Sequence, residues 1–218
     1  MTRRNGARET AAPWDGSRMD VEPTHEAAAL LLRPHRLFTR DEVLGHPCPV
    51  AATPGVYAWY FDEVPAVVPT DGCVRHDGHT LLYVGISPGK PPANGRGPSR
   101  QTVRSRLRYH YRGNAYGSTL RLTLGSLLAD DLGIELRLVG SGTRLTFASG
   151  EAELSRWMGR HAHVCWLETP EPWLLEHDML QHNVLPLNLD QNGHSPFRQT
   201  LSAIRGAQRA RARSLPVI

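Results

Sequence analysis

Two short, mostly apolar runs stand out in the first half of the chain: GVYAWYF from Gly55 and TLLYVGIS from Thr80. β-branched and aromatic residues dominate both runs, and Pro, Gly and Asp flank them, which predicts two strands of a sheet. Each run also carries a glycine two residues from a tyrosine, with Gly55 before Tyr57 and Gly85 after Tyr83. Glycine weakens a strand unless another backbone or a ligand must come close. The two tyrosines therefore mark a candidate site on the sheet.

The remaining periodic segments predict helices around this pair of strands. Helices are expected over residues 26–32, 39–45, 101–112, 117–131, 151–160 and 171–182, and from an N-cap at Ser195 and Pro196 towards Arg213. Residues 134–148 predict a hairpin, 163–167 a last strand, and 62–79 a surface loop or irregular hairpin. The sum is an α+β fold, in which a small mixed or antiparallel sheet is flanked by helices.

The helix over residues 101–112 has one apolar face. On a 100° wheel that face contains Val103, Leu107, His110 and Tyr111. Arg104 and Arg106 border it on opposite sides, so the helical wheel alone does not show which of the two arginines belongs to the candidate site. Arg108 and Arg112 point away from it.

Charge is concentrated in two parts of the chain. The formal net charge is only +4, yet residues 78–129 contain eight basic residues and no acidic one, and residues 191–218 contain five arginines and no acidic one. Such clustering is the electrostatic footprint of a polyanion partner, and arginine suits bidentate phosphate contacts. The nucleic-acid contacts predicted from it are Lys90, Arg96, Arg104, Arg108, Arg112, Arg205 and Arg209. The alternatives are a solvated arginine-rich surface and an exposed basic C-terminal helix that frays.

Length and composition place further bounds on the chain. Its 218 residues predict a disordered tail over 1–24, a helical lead-in over 25–50, a main folded domain over 51–195, and a basic C-terminal helix and tail over 196–218. No apolar run reaches the roughly 20 residues of a spanning helix, and no apolar segment follows the first arginines, so we expect a cytoplasmic protein without membrane contact.

Three widely spaced cysteines favour reduced thiols over disulfides. Two short clusters, Cys73-x-x-His76-x-x-His79 and His161-x-His163-x-Cys165, contain zinc-ligand types. Neither has paired zinc-finger spacing, so core positions are favoured for His163 and Cys165.

Glu176 is the most unusual position of the helix over residues 171–182. It lies within the apolar stripe formed by Trp173, Leu175, Met179 and Leu180, where a carboxylate is costly unless it is paired or binds a metal. An ordinary rim glutamate in a salt bridge is the competing interpretation. Asn188 follows twelve positions later in a loop.

Taken together, these residues resemble the GIY-YIG nuclease family. GVY and YVG match the paired triplets of that family. Arg106, with His110 one turn later, matches its helix arginine. Glu176 and Asn188 match its last two positions. The Arg-x-x-x-His spacing favours Arg106 over Arg104. The interval from Tyr57 to Tyr83 and the interval from Arg106 to Glu176 are both longer than usual, which indicates insertions.

The resemblance implies a metal-dependent endonuclease that acts on nucleic acid and leaves 3′-hydroxyl and 5′-phosphate ends, with DNA favoured over RNA as the substrate. Glu176 would hold one Mg²⁺ or Mn²⁺, Arg106 would grip a phosphate oxygen, and Asn188 would fix the loop and the glutamate helix. Tyr57 and His110 remain alternatives for the general base, and Tyr83 would help to orient the water. The competing functions are an inactive binding module of the same fold and an interaction protein that binds an acidic partner.

Overall fold

The computed structural model describes residues 21–92 and 99–218. Its helices are α1 (Val21–Leu32), α2 (Arg40–Leu44), α3 (Val103–Arg112), α4 (Thr119–Leu127), α5 (Ala129–Leu132), α6 (Gly150–His161), α7 (Pro172–His182) and α8 (Arg198–Ser214). Its strands are β1 (Gly55–Phe61), β2 (Arg75–His76), β3 (His79–Ser87), β4 (Arg137–Val139), β5 (Arg144–Thr146) and β6 (Ala162–Glu168).

The main sheet has the strand order β2-β3-β1-β6, and all of its pairings are antiparallel. The two runs with tyrosine and glycine are its neighbouring strands β1 and β3, as predicted. Strand β1 is buried along its whole length because β3 and β6 cover its two edges and helices cover its two faces. The α+β prediction with a small antiparallel sheet and flanking helices is therefore confirmed.

Two apolar layers cover the sheet. On one face, Tyr57, Trp59 and Tyr83 pack against residues of α3, α4, α6 and α8. On the other face, Val56, Ala58 and neighbours pack against α1 and α7. The α3 face is the predicted one: its buried residues are Val103, Leu107, His110 and Tyr111.

Several element boundaries differ from the prediction. Helix α1 begins at Val21, five residues before the expected start, so residues 21–24 are helical and not disordered as predicted. The rest of the predicted tail, residues 1–20, lies outside the described residues. The helix expected over 117–131 is broken at Leu128 into α4 and α5. Residues 62–79 contain the short strand β2, which pairs with β3.

The predicted N-cap of the last helix is wrong. Helix α8 begins at Arg198, and Phe197 precedes it without a side-chain cap. The carbonyl of Ser195 instead accepts a hydrogen bond from the Arg198 N–H and closes a turn before the helix. Leu201 and Ala212 of α8 are fully buried against the rest of the fold, so this helix is packed and not a frayed extension.

Among the described residues, no helix is both long enough and apolar enough to cross a membrane.

Candidate active site

The two signature tyrosines lie on one face of the sheet, on neighbouring strands. Tyr57 of β1 is the cross-strand partner of Gly85 in β3, and Tyr83 of β3 is the partner of Trp59. The Tyr57 ring lies directly over Gly85, where a Cβ atom would come within 2.6 Å of the phenol oxygen. Glycine is needed at position 55 for a different reason, because a Cβ atom there would lie 2.3 Å from the Leu167 carbonyl oxygen. Both glycines thus permit a close approach, as strand glycines often do.

His110 of α3 lies behind Tyr57 and has no exposed surface. Its Nε2 is 2.9 Å from the Tyr57 hydroxyl, and its Nδ1 is 2.7 Å from Ser118 Oγ. Burial, with the charges of Arg106 and Arg121 adding to it, lowers the pKa of His110 well below its ordinary value, so the imidazole is neutral at pH 7. Burial also raises the pKa of Tyr57, so its protonated hydroxyl can donate to Nε2 while Nδ1–H donates to Ser118.

Arg106, and not Arg104, points to the tyrosines. Its guanidinium counteracts the effect of burial on the pKa of both Tyr57 and Tyr83, and it donates to the Gly117 carbonyl at 2.7 Å. Arg104 lies on the other border of α3, where its Nε donates to the Val50 carbonyl at 2.6 Å. Packing therefore makes the distinction that the helical wheel left open.

Glu176 approaches Tyr83 from the opposite layer of the fold. Helix α7 buries Leu175, Met179 and Leu180 against the far face of the sheet, but Glu176 faces the edge of β3. There it lines a cleft of about 80 Å³. The other lining residues are Tyr83, Thr119, Thr123, Leu180, Leu187, Asn188, Leu189, Asp190, Gln191 and Arg205.

The surroundings of Glu176 oppose its negative charge. Burial raises its pKa to about 7, and the nearby carboxylate of Asp190 adds to the shift. Within the described part of the chain, no residue makes a hydrogen bond or ion pair to the Glu176 carboxylate. The salt-bridged rim position considered from the sequence is therefore not what the structure has.

Asn188 holds its loop to β3. Its side-chain Nδ2 donates to the Val84 carbonyl at 2.8 Å, and its Oδ1 accepts from the Val84 N–H at 3.0 Å. The Leu187 N–H also bonds to the Leu82 carbonyl, so the loop runs along the free edge of the strand. The bonds of Asn188 thus go to the strand that carries Tyr83, and not to the glutamate helix as expected.

The predicted nucleic-acid contacts are divided between surface and interior. Lys90 is exposed and lines a groove of about 510 Å³ beside Glu176, together with Trp173, which is half-exposed and not buried in the stripe as predicted. Arg112 is exposed and Arg209 is half-buried. Arg108 donates to the Leu44 carbonyl at 2.9 Å. Arg96 lies outside the described residues.

Arg121 of the basic segment is not a surface residue at all. Its side chain has no exposed surface, and its Nη2 and Nε donate to Glu151 Oε2 at 2.6 and 2.9 Å. Its Nη1 donates to the His110 carbonyl and to Ser155 Oγ, both at 3.1 Å. This arginine is a paired interior residue, so the charge count overstated the basic surface.

Arg205 is likewise buried, with 7% of its surface exposed, although it was expected on an exposed helix. It lines the cleft with Glu176. Sequence reasoning also missed Asp190, two positions after Asn188, and the hydroxyl of Thr119, which lies 3.3 Å from the Tyr83 hydroxyl. The sequence feature that indicates burial of Arg205 is its position one turn after Leu201, inside the apolar stripe of α8.

No described group of three or more His, Cys, Asp or Glu side chains is arranged to hold a metal ion. The two zinc-like clusters meet only through a ring contact of His79 with His163, at 4.4 Å between centroids. Cys165 is buried in the apolar layer with α7. All three cysteines are free thiols.

The family model described as GIY-YIG catalytic domain matches residues 55–207. No curated protein and no solved structure matches the chain. The match begins at the first glycine of β1 and ends within α8, so it includes every residue of the cleft. A domain of this kind is a nuclease-type hydrolase whose substrate is nucleic acid, and its members generally use divalent metal ions. This chain therefore belongs to the GIY-YIG nuclease family.

Proposed function

We propose that the protein is an active, metal-dependent endonuclease that hydrolyses phosphodiester bonds in nucleic acid, DNA rather than RNA. One observation supports this most directly. Tyr57, Tyr83, Arg106 and Glu176 come from four separate elements, yet the charges of Arg106 and Glu176 both act on the pKa of the two phenols. The four groups are therefore close enough to interact electrostatically, which supports a shared catalytic site.

A metal fits the donors on the carboxylate side of the cleft. Glu176 is partly buried without a protein partner, and Asp190 lies close enough to raise its pKa. A partly buried carboxylate without a partner is costly, and a hard divalent cation such as Mg²⁺ or Mn²⁺ prefers oxygen ligands and keeps several waters. We assign Glu176 as the protein ligand. When bound, the ion would supply positive charge at the leaving oxygen.

The reaction adds water across the bond between phosphorus and the 3′ oxygen. The water oxygen bonds to phosphorus, the P–O3′ bond breaks, and a proton ends on O3′, giving a 3′-hydroxyl and a 5′-phosphate. Arg106 holds a nonbridging oxygen as negative charge develops on the phosphate. Tyr83, held by the Thr119 hydroxyl, helps to orient the attacking water.

Between the two candidate bases, we favour Tyr57 at the substrate, with His110 behind it. His110 is completely buried, so it contacts the substrate only through Tyr57. The neutral imidazole accepts a hydrogen bond from the Tyr57 hydroxyl, which leaves lone pairs of the phenol oxygen free to accept from the attacking water, and Arg106 opposes the rise in the Tyr57 pKa. Asn188 positions β3 and the loop that carries Asp190.

The groove beside Glu176 offers a route for the substrate strand. Lys90 and the half-exposed Trp173 lie along it and provide a cation and an aromatic surface. Arg104, Arg108, Arg112 and Arg209, with Arg96 outside the described residues, remain proposed phosphate contacts outside the cleft. We retain the cytoplasm as the proposed site of action.

Nicking of supercoiled plasmid in Mg²⁺ or Mn²⁺ tests the proposal. Wild-type protein is expected to nick DNA, EDTA to stop it, and Arg106→Ala and Glu176→Ala to abolish it. Arg160→Ala and Glu153→Ala are matched controls because both side chains are exposed on α6. Retained binding without cleavage of DNA or RNA by wild type would identify an inactive binding module instead.

A further inference from the structure

Arg205 is a buried cation without an anion. Only 7% of its surface is exposed, yet no carboxylate of the described residues lies within ion-pair distance of its guanidinium. Its one side-chain hydrogen bond there is from Nη1 to Thr123 Oγ1, at a long 3.4 Å, and its Nε has no partner. A buried charge is costly unless it is paired and hydrogen-bonded. The fold therefore tolerates an unfavourable arrangement at this position.

The position of Arg205 suggests what the missing partner is. Arg205 lines the cleft that also contains Glu176 and Tyr83. Hydroxyls of Thr119, Thr123 and Tyr83 line the cleft with the guanidinium, and Glu176 and Asp190 supply carboxylates. The cleft thus combines hydrogen-bond donors and a positive charge with oxygen ligands for a cation.

We propose that Arg205 and Thr123 form a second phosphate-binding site, which holds a nonbridging oxygen of the scissile phosphate. The inference rests on the proposed function and adds a residue to it. Arg205 lines the same cleft of about 80 Å³ as Glu176 and Tyr83, so a phosphate that enters this cleft meets its guanidinium. A guanidinium fork presents several N–H donors to such an oxygen, and Arg205 has unused ones.

Electrostatics agree with this assignment. Burial and the neighbouring Arg209 lower the pKa of Arg205, while Asp190 and Tyr83 act in the opposite direction. Arginine stays protonated under such pressure, so the cleft keeps a fixed positive charge. With Arg106 on the Tyr57 side and Arg205 on the α8 side, two arginines would share the charge that develops on the phosphate.

This site changes the role of α8. The sequence predicted nucleic-acid contacts by Arg205 and Arg209 on a basic helix that follows the catalytic domain. In the structure, Leu201 packs α8 into the core one turn before Arg205, and the helix carries Arg205 to the cleft. We therefore expect the chemical step itself to depend on α8.

Arg205→Met tests the proposal because methionine keeps a long side chain and removes the charge. We expect single-turnover cleavage to fall about 10²–10³-fold, the usual cost of one lost donor to developing negative charge. Arg205→Lys should recover part of the rate, since it restores charge without the fork. Arg213→Ala, an exposed arginine on the same helix, is the control and should cleave like wild type.

A stability measurement separates a substrate contact from a structural one. Removing an uncompensated buried charge should leave the melting temperature of Arg205→Met equal to or above that of wild type. A residue needed for folding would lower it. In EDTA at constant ionic strength, inorganic phosphate should raise the melting temperature of wild type and Arg213→Ala, with at least tenfold weaker apparent binding to Arg205→Met.

The outcomes distinguish the two proposals. If wild type cleaves and Arg205→Met cleaves equally well, the second phosphate site is wrong and the nuclease stands. If wild type cleaves nothing, the proposed function fails, and the phosphate titration still decides whether Arg205 binds an anion. A lowered melting temperature with unchanged phosphate binding would overturn the site in either case.

Discussion

Arg121 and Arg205 are both buried, but the protein surrounds them differently. Arg121 has Glu151 as an ion-pair partner and carbonyl and hydroxyl oxygens at its other nitrogens. Arg205 has one long hydrogen bond and an unpartnered Nε. The comparison extends to the carboxylates, because Glu151 is paired and Glu176 is not. Of these four groups, the two that pair with each other lie in the interior, whereas Arg205 and Glu176, which have no ion-pair partner among the described residues, line the cleft.

The largest expected effect is the loss of cleavage on substitution of Glu176, the carboxylate without a partner. Glu176→Gln should lower the cleavage rate at least about 10⁴-fold, since the metal contributes several kcal/mol to the transition state. The same change should not destabilise the protein, because the charge it removes is disfavoured by burial. Single-turnover cleavage and thermal denaturation measure the two effects. A marked loss of stability would show that Glu176 stabilises the fold as Glu151 does, and would contradict the distinction between the two glutamates.

Glu151→Gln should give the opposite result. It leaves the fully buried Arg121 without its anion, so we expect a loss of about 3–5 kcal/mol in the free energy of unfolding. The cleavage rate per folded molecule should change little, because Glu151 does not line the cleft. Urea denaturation gives the stability, and Glu153→Gln, on the exposed side of α6, serves as control. An equally stable variant would show that the ion pair contributes nothing net.

Gly85→Ala tests the contact that sets the position of Tyr57. The added Cβ would lie 2.6 Å from the phenol oxygen, so the ring must move. Overpacking of this kind costs about 1–3 kcal/mol, and cleavage should fall as Tyr57 leaves its place beside His110. Gly206→Ala is the control, since nothing lies within 4 Å of its Cβ and alanine favours a helix. Normal stability and cleavage in Gly85→Ala would contradict the assigned geometry.

The smallest effects concern pH. The pKa of Glu176 is raised to about 7, so below pH 7 the carboxyl is mostly protonated and Mn²⁺ affinity should fall about tenfold per pH unit. A carboxyl whose pKa rises on folding destabilises the folded protein at pH values above the pKa that it has in the unfolded chain. Glu176→Gln removes this carboxyl, so it should stabilise the protein at pH 8 and much less at pH 5.

Asp190→Asn should move the midpoint of metal binding to lower pH, because Asp190 raises the pKa of Glu176. An unchanged midpoint would remove Asp190 from the site.

The parts of the site that sequence predicted depend on local pattern. Strand composition located Tyr57 and Tyr83, and helical periodicity gave the buried face of α3, including His110. Residue type and spacing then selected Glu176 and Asn188. Such inferences succeed because period and glycine placement are fixed within one element.

The parts that sequence missed depend on how distant elements pack. Helical periodicity alone could not choose between Arg104 and Arg106, which border the same helix face. The Arg-x-x-x-His spacing favoured Arg106, and the structure shows that Arg104 is bonded elsewhere, to the Val50 carbonyl. Arg121 and Arg205 were counted as surface charge because the acidic partner of one, and the cleft beside the other, come from other elements. A charge count treats every arginine as solvated, and only packing can correct it.

The contact between Tyr57 and Gly85 has a consequence for how the signature is written. GVY and YVG are read along the chain as two separate triplets, but the tyrosine of the first and the glycine of the second face each other across one strand pair. A slip of one residue would set the ring against Val84 or Ile86, so this contact also fixes the alignment of β1 on β3. Positions 57 and 85 should accordingly vary as a pair among relatives, with a smaller ring whenever 85 gains a side chain.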